Sequence, residues 1–304
     1  MKAFEPAYIK TARDGLLARK IASARAILNQ CVLCPRECRV DRLAGETGIC
    51  KTGQQAVVSS IHAHFGEEAP LVGTNGSGTI FFTHCNLMCS FCQNYDISHE
   101  GCGREVSDNE LASMMLTLQE QGCHNINLVT PTHVVPQILS ALETAVDKGL
   151  TIPIVYNSGG YDDTKTLKLL DGVIDIYMPD FKFQDSKIAD VTCSAPDYPE
   201  IARHAVLEMH RQVGDLVIDE TGIAQRGLLI RHLVLPDNLA GTRDIMKFIH
   251  DAVSPNTYVN VMSQYRPCGR AYETPGLSKT LSVEEYKQAL QMAKEEGITR
   301  PLQL

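Results

Sequence analysis

Long apolar runs are missing from this chain. The longest, such as Leu228–Ile230 and Leu233–Leu235, are broken by charge or proline far short of the roughly 20 residues that span a bilayer, which excludes a helical membrane protein. Residues Met1–Lys10 lack the apolar core of an export signal, so the expected compartment is the cytoplasm. Basic charge is scarce as well: 28 Lys and Arg face 36 Asp and Glu, a formal charge of −8. No domain-wide positive field exists to draw in nucleic acid. Tryptophan is absent altogether. What is present is 44% apolar and 21% charged content over 304 residues. That suffices for one large or two modest globular domains and does not fit disorder, collagen or a small stapled scaffold.

Eleven cysteines is an odd count. Seven of them crowd into two short windows, Cys31 to Cys50 and Cys85 to Cys92, instead of spreading as a disulfide framework would. In a reducing compartment, clustered thiols point to metal or redox chemistry.

Between Thr11 and Asn29 the apolar positions Leu16, Leu17, Ile21, Ala24, Ile27 and Leu28 recur at helical spacing, with Thr11 or Asp14 placed to cap the start. One amphipathic helix is predicted there. Loose alternation over Gln55–Phe65 predicts a strand, and the glycine-rich stretch Gly73–Gly78 a loop. From Gly78 onward, short β-branched runs alternate with helical patterns, as parallel strands joined by crossover helices do. Six such strands are expected: Thr79–Thr83, Asn125–Val129, Ile152–Tyr156, Val173–Met178, Leu228–Leu235 and Tyr258–Met262. Helices are expected near Asp108–Gln121, Val134–Lys148, Asp162–Leu170, Tyr198–Val213, Thr242–Val253 and Val283–Glu296, and Asp215–Glu220 offers a short extra strand. The predicted fold class is α/β: a partial (β/α)6 TIM-type barrel over residues 78–304, behind an N-terminal Cys-rich extension over residues 1–77. Every strand ends in polar or glycine-containing text, so the carboxyl ends should form one mouth that carries the ligand site.

Directly after the first barrel strand comes His84-Cys85-Asn86-Leu87-Met88-Cys89-Ser90-Phe91-Cys92, a C-x3-C-x2-C spacing with an aromatic before the third cysteine. Three thiolates on one short loop can each hold one iron of a [4Fe–4S] cluster and leave the fourth iron open. A structural zinc usually takes two ligand pairs, whereas only the awkwardly adjacent His84 stands by here as a fourth ligand.

This window resembles the signature of the radical S-adenosylmethionine (SAM) superfamily, in its spacing, its aromatic Phe91 and its place after the first strand of a six-fold βα pattern. The resemblance implies that the open iron chelates SAM and that the reduced cluster splits the sulfonium into methionine and a 5′-deoxyadenosyl radical. Such chemistry asks for a low-potential cluster in a shielded mouth. From Gly78 to Tyr265 the chain is most similar to the pyruvate formate-lyase activating enzyme group, in its activase-like branch of undefined substrate. Under that resemblance, Asp180 and Lys182 of Met178-Pro179-Asp180-Phe181-Lys182 match the strand-four motif that contacts the SAM ribose and methionyl carboxylate. Arg231, in the strand-five motif Leu229 to Pro236, matches the contact to the methionyl moiety, and Asn157 and Ser158 match the polar pair near the sugar. Gln264, after the sixth strand, is grouped with them at the mouth. The match fails after strand two, where activases carry a Gly-Gly-Glu-type turn and this chain has Thr130-Pro131-Thr132-His133. Thr130 and Thr132 therefore stand in as acceptors for the SAM amino group, and His133 is either a substrate-side acid or base or a plain helix-start residue.

The first window, Cys31-Val32-Leu33-Cys34-Pro35-Arg36-Glu37-Cys38 followed by Cys50, reads C-x2-C-x3-C-x11-C. Four thiolates can close a tetrahedral zinc, hold a complete auxiliary iron–sulfur cluster, or stay reduced and unmetallated. His62 and His64, on one face of the intervening strand, are further imidazoles within chain reach. Cys102, Cys123 and Cys193 read as core residues. Cys268, in Tyr265-Arg266-Pro267-Cys268-Gly269-Arg270, follows the sixth strand and is the candidate catalytic thiol, placed to give a hydrogen atom to a substrate radical.

The expected function is that of a radical SAM oxidoreductase whose radical abstracts hydrogen from a protein or peptide, glycyl-radical activation of a partner enzyme being one form of this. The alternatives are rearrangement or epimerisation of a small molecule or peptide by the same chemistry and, more remotely, a zinc-binding structural protein. SAM, a low-potential reductant such as flavodoxin or ferredoxin, and a protein substrate are the expected partners.

Overall fold

A computed structural model describes residues 4–301. Its strands are β1 (Ala56–His64), β2 (Ser77–Phe82), β3 (Arg104–Val106), β4 (Ile126–Val129), β5 (Ile154–Ser158), β6 (Ile176–Pro179), β7 (Val217–Ile218), β8 (Ala224–Leu233) and β9 (Tyr258–Met262). Its α-helices are α1 (Ala7–Arg13), α2 (Leu16–Ala26), α3 (Ala69–Val72), α4 (Asp108–Glu120), α5 (Val135–Asp147), α6 (Thr164–Leu169), α7 (Ser186–Cys193), α8 (Tyr198–Val213), α9 (Thr242–Phe248) and α10 (Val283–Glu295). The six expected strands are β2, β4, β5, β6, β8 and β9, side by side in that order with each neighbouring pair parallel. Among the described residues β9 makes no pairing back to β2, so the sheet is an open, partial TIM-type barrel. β1 adds to the first edge antiparallel to β2, with β3 beyond it, and β7 folds back on β8.

Both faces of the parallel strands are covered, which is why they read as nearly continuous apolar runs. All of β5 is buried: Ile154 and Tyr156 join the large core under the helices, while Val155 joins Ile176, Met178, Leu229 and Tyr258 in a smaller cluster on the other face. Leu71 of α3 completes that smaller cluster. Because His64 at the end of β1 lies opposite Ser77 at the start of β2, the connection through α3 crosses the amino ends of the barrel strands. Asn125 Nδ2 donates to the Leu71 carbonyl at 2.9 Å, and Asn260 Nδ2 to Glu68 Oε1 at 2.8 Å. The barrel thus has a floor, and its mouth is at the other end.

The helices on the outer face follow their caps. Ser107 with Glu110 and Ser282 with Glu285 form capping boxes at α4 and α10, and Asp163 and Asp185 cap α6 and α7. The single helix expected over Thr11–Asn29 is instead two, α1 and α2, because Gly15 takes a left-handed φ of 69°. Neither predicted cap serves: Thr11 Oγ1 donates to the Gly172 carbonyl and Asp14 ends α1. The short α3, β3 and α7 were not anticipated, having too few residues to show a period. No helix among the described residues is long and apolar enough to cross a membrane.

Candidate active site

At the carboxyl ends of the parallel strands lies a cavity of about 380 Å³. The loop after β2 brings Cys85, Cys89, Phe91 and Cys92 to its wall. Two residues of this loop and one after β4 hold left-handed backbone without being glycine: His84 at φ 69°, Met88 at 58° and Thr130 at 60°. Strain of this kind persists only where the surroundings impose it, and it clusters at functional sites. Phe91 is clamped edge-on between Phe183 (5.9 Å) and Tyr265 (6.1 Å), which fixes the loop between its second and third thiols.

Burial pushes the Cys85 thiol up to about 12, and burial also raises Cys92. Cys89 is raised first by a hydrogen bond with Cys193 and then by burial. Protonated, these thiols sit comfortably; as thiolates they need a cation, and a cluster of iron supplies it. No other thiol is on the cavity wall, so the donor set fits a cluster bound by three cysteines with one iron free for another ligand.

The same cavity wall carries a buried chain of charges. Asp180, just after β6, accepts from Lys182 Nζ at 2.5 Å and from Arg231 Nε at 2.9 Å, and Arg231 Nη2 donates to Asn157 Oδ1 at 2.7 Å. Burial alone would raise Asp180, but Arg231 and Lys182 hold its carboxyl below the ordinary value. Burial would lower Lys182; Asp180 reverses this and keeps the amine charged. The Tyr198 hydroxyl accepts from the Lys182 amide at 2.9 Å and lies 3.0 Å and 3.1 Å from the carbonyls of Gly159 and Asp180, tying the ends of β5 and β6 together.

Of the residues singled out from sequence, Cys85, Cys89, Cys92, Phe91, Thr130, Asn157, Ser158, Asp180, Lys182, Arg231 and Gln264 all line this one cavity. Thr132 does not. Its hydroxyl is turned to Asp162 Oδ1 at 2.7 Å, beside Tyr156 (3.0 Å) and Ser158 (2.6 Å) on the same fully buried carboxylate. Cys268 is absent from the wall as well, because the Cys268–Arg270 turn packs against the thiol loop at Ser90, where the Arg270 amide donates to the Ser90 carbonyl at 2.7 Å. His133 is buried, with Nε2 on the Thr83 carbonyl at 3.0 Å, and burial lowers it to about 3; it faces the N-terminal cysteines, not the mouth. His64 lines the central cavity and His62 stacks on Phe81 at 5.6 Å, so neither joins the first window.

Sequence reading missed Glu67. It lies on the cavity wall with Oε2 3.5 Å from Arg231 Nη1, and burial raises its carboxyl to about 7 against the pull of Arg231. The guanidinium cannot hold it ionised more firmly because Asp180 already occupies the nearer edge. Two adjacent carboxylates, Glu67 and Glu68, between Gly66 and an apolar run were the available signal.

Comparison with known proteins agrees with this geometry. The family model described as "Radical SAM superfamily" matches residues 79–219. The chain is also 33% identical over 292 residues to the uncharacterized protein MJ0674 of Methanocaldococcus jannaschii, covering 93% of this chain and 79% of that one. The chain carries a radical SAM superfamily domain. Its fold is similar to the crystal structure of a radical SAM methyltransferase from Sphaerobacter thermophilus, with a TM-score of 0.51 and 15% identity over 74% of this chain and 66% of the other, just under two thirds of its length. At that identity the likeness bears on the fold alone. That domain implies SAM as a ligand and a [4Fe–4S] cluster.

Proposed function

We propose that this radical SAM protein binds SAM in the 380 Å³ cavity and uses it to abstract hydrogen from a protein or peptide, as an activase-like enzyme. The supporting observation is that three thiols and the Asp180–Lys182–Arg231–Asn157 network, far apart in the chain, line one cavity. When bound, the cluster and SAM together supply the one-electron cleavage that yields the abstracting radical. Cys85, Cys89 and Cys92 are the iron ligands in this reading. Lys182 and Arg231 orient the methionyl carboxylate by charge-assisted bonds, while Asp180, Asn157 and Ser158 offer acceptors to the sugar hydroxyls. Exposed Gln93, Asn94 and Gln264 rim the mouth, and Gln93 Nε2 reaches the Gln264 carbonyl at 3.1 Å. That polar rim, on a barrel open along one side, favours a polypeptide loop over a fully enclosed small molecule. A low-potential donor such as flavodoxin or ferredoxin would deliver the electron.

The test is anaerobic reconstitution with iron and sulfide, then dithionite and SAM. Release of 5′-deoxyadenosine from the wild type and its loss in Cys89→Ala is the expected result; cleavage that survives in Cys89→Ala overturns the placement of the cluster. Substrate class follows from deuterated extracts split by size. Deuterium entering 5′-deoxyadenosine from the protein fraction supports the reading, and label arriving only from the small-molecule fraction replaces it with the alternative of small-molecule modification.

A further inference from the structure

Behind the thiol loop, Cys31, Cys34, Cys38 and Cys50 surround a second cavity, of about 10 Å³, whose wall is almost entirely apolar or sulfur apart from Arg36, Arg42, Asn86 and His133. The turns that hold these cysteines are tightly constrained. Glu37 (φ 40°), Arg39 (57°) and Lys51 (50°) are left-handed beside Cys38 and Cys50. Gly48 packs so closely on Cys38 that a Cβ there would stand 2.6 Å from its Sγ. The Arg36 amide bonds the Cys34 sulfur and the Thr52 amide the Cys50 sulfur.

Arg42 is the decisive observation. It is 1% exposed, and its donors reach the Gly53 carbonyl (Nε, 2.9 Å), the His133 carbonyl (Nη1, 2.9 Å) and Cys31 Sγ (Nη1, 3.9 Å). Its Nη2 has no partner, and among the described residues no carboxylate pairs with it. A buried guanidinium with no counter-charge is strongly unfavourable. The group able to balance it here is a set of thiolates, and four thiolates around one small cavity are themselves stable only with a metal centre, where their net charge is negative.

The spacing selects the kind of centre. A single zinc with bonds of about 2.3 Å draws four tetrahedral sulfurs to within about 3.8 Å of one another, leaving nothing between them. Here the sulfurs enclose room for about one water, and among the described residues no three Cys, His, Asp or Glu side chains are gathered tightly enough for a single metal ion.

We propose that Cys31, Cys34, Cys38 and Cys50 ligate a second, fully coordinated [4Fe–4S] cluster whose charge is balanced by Arg42. Arg36 ties its shell to the first cluster loop: the guanidinium donates to the carbonyls of Asn86 (3.0 Å), Leu87 (3.2 Å), Cys193 (2.7 Å) and Ser194, and stacks over Tyr161 at 5.2 Å.

Iron, sulfide and zinc are to be counted in anaerobically purified wild type and in the Cys85→Ala/Cys89→Ala/Cys92→Ala variant, which leaves the first window intact and cannot cleave SAM. About eight irons per chain in the wild type and about four in the triple variant, with a cubane signal on reduction, are expected. About four irons plus one zinc in the wild type, or a triple variant that holds zinc or no metal, overturns the proposal; if the triple variant does not fold, the wild-type count decides. In the triple variant, Arg42→Met should shift the remaining midpoint potential to more negative values while Arg42→Lys leaves it nearer the parent, because the lost cation no longer favours the reduced cluster. An unchanged potential in Arg42→Met overturns the role given to Arg42.

Discussion

Glu67→Gln tests whether the cavity wall carries a carboxylate that the fold holds against its preference. An ordinary glutamate value of 4.5 and a folded value of about 7 mean that ionising Glu67 inside the fold costs about 3 kcal/mol. The raised value makes the folded state the better proton binder, so the associated stability is complete below pH 4.5 and is lost as pH rises through about 7. Between pH 5 and pH 8 the wild type should lose about 2.5 kcal/mol on this account, and a glutamine cannot. Asp175, raised by burial from 3.8 to about 7, titrates over a similar range, but it is present in both proteins and cancels in the difference. Urea denaturation of metal-free, reduced wild type and Glu67→Gln at the two pH values gives the four free energies needed. The variant should gain on the wild type by about 2.5 kcal/mol on going to pH 8. Parallel pH profiles would refute the reasoning, because they would mean Arg231 neutralises Glu67 as fully as it does Asp180.

Asp180→Asn leaves Lys182 and Arg231 buried without their shared anion, so it should cost about 3–5 kcal/mol in denaturant unfolding and weaken SAM binding by calorimetry; a variant as stable as the wild type contradicts the network described. Gly160 has φ 76°, and a Cβ there would stand 2.1 Å from the Asp180 carbonyl oxygen, so Gly160→Ala should lose about 2 kcal/mol or more and displace Asp180, with unaltered stability as the refuting result. Cys268→Ala removes a thiol that lies off the cavity wall, and SAM cleavage should stay on the order of the wild-type rate, within about twofold; abolished cleavage would place Cys268 in the chemistry after all.

The parallel strands were legible because burial on both faces writes β-branched runs into the chain, and Cys85, Cys89 and Cys92 because all three thiols sit within one loop. Asp180, Lys182, Arg231, Asn157 and Gln264 were legible through resemblance and through the rule that strand ends converge. Thr132 was misleading: a 3-10 turn over Thr132–Val134 rotates its hydroxyl inward to Asp162, and no local pattern records which way a turn rotates. Glu67 escaped notice because its importance comes from α3 running under the barrel, a contact with Arg231 across 164 positions of chain. The burial of Arg42 was likewise invisible, since arginine in a polar stretch ordinarily reads as surface.

Leu71 and its neighbours seal the barrel from below. A vessel closed at its base can be filled only from the carboxyl end, past Gln93, Asn94 and Gln264, or through the unpaired seam between β9 and β2.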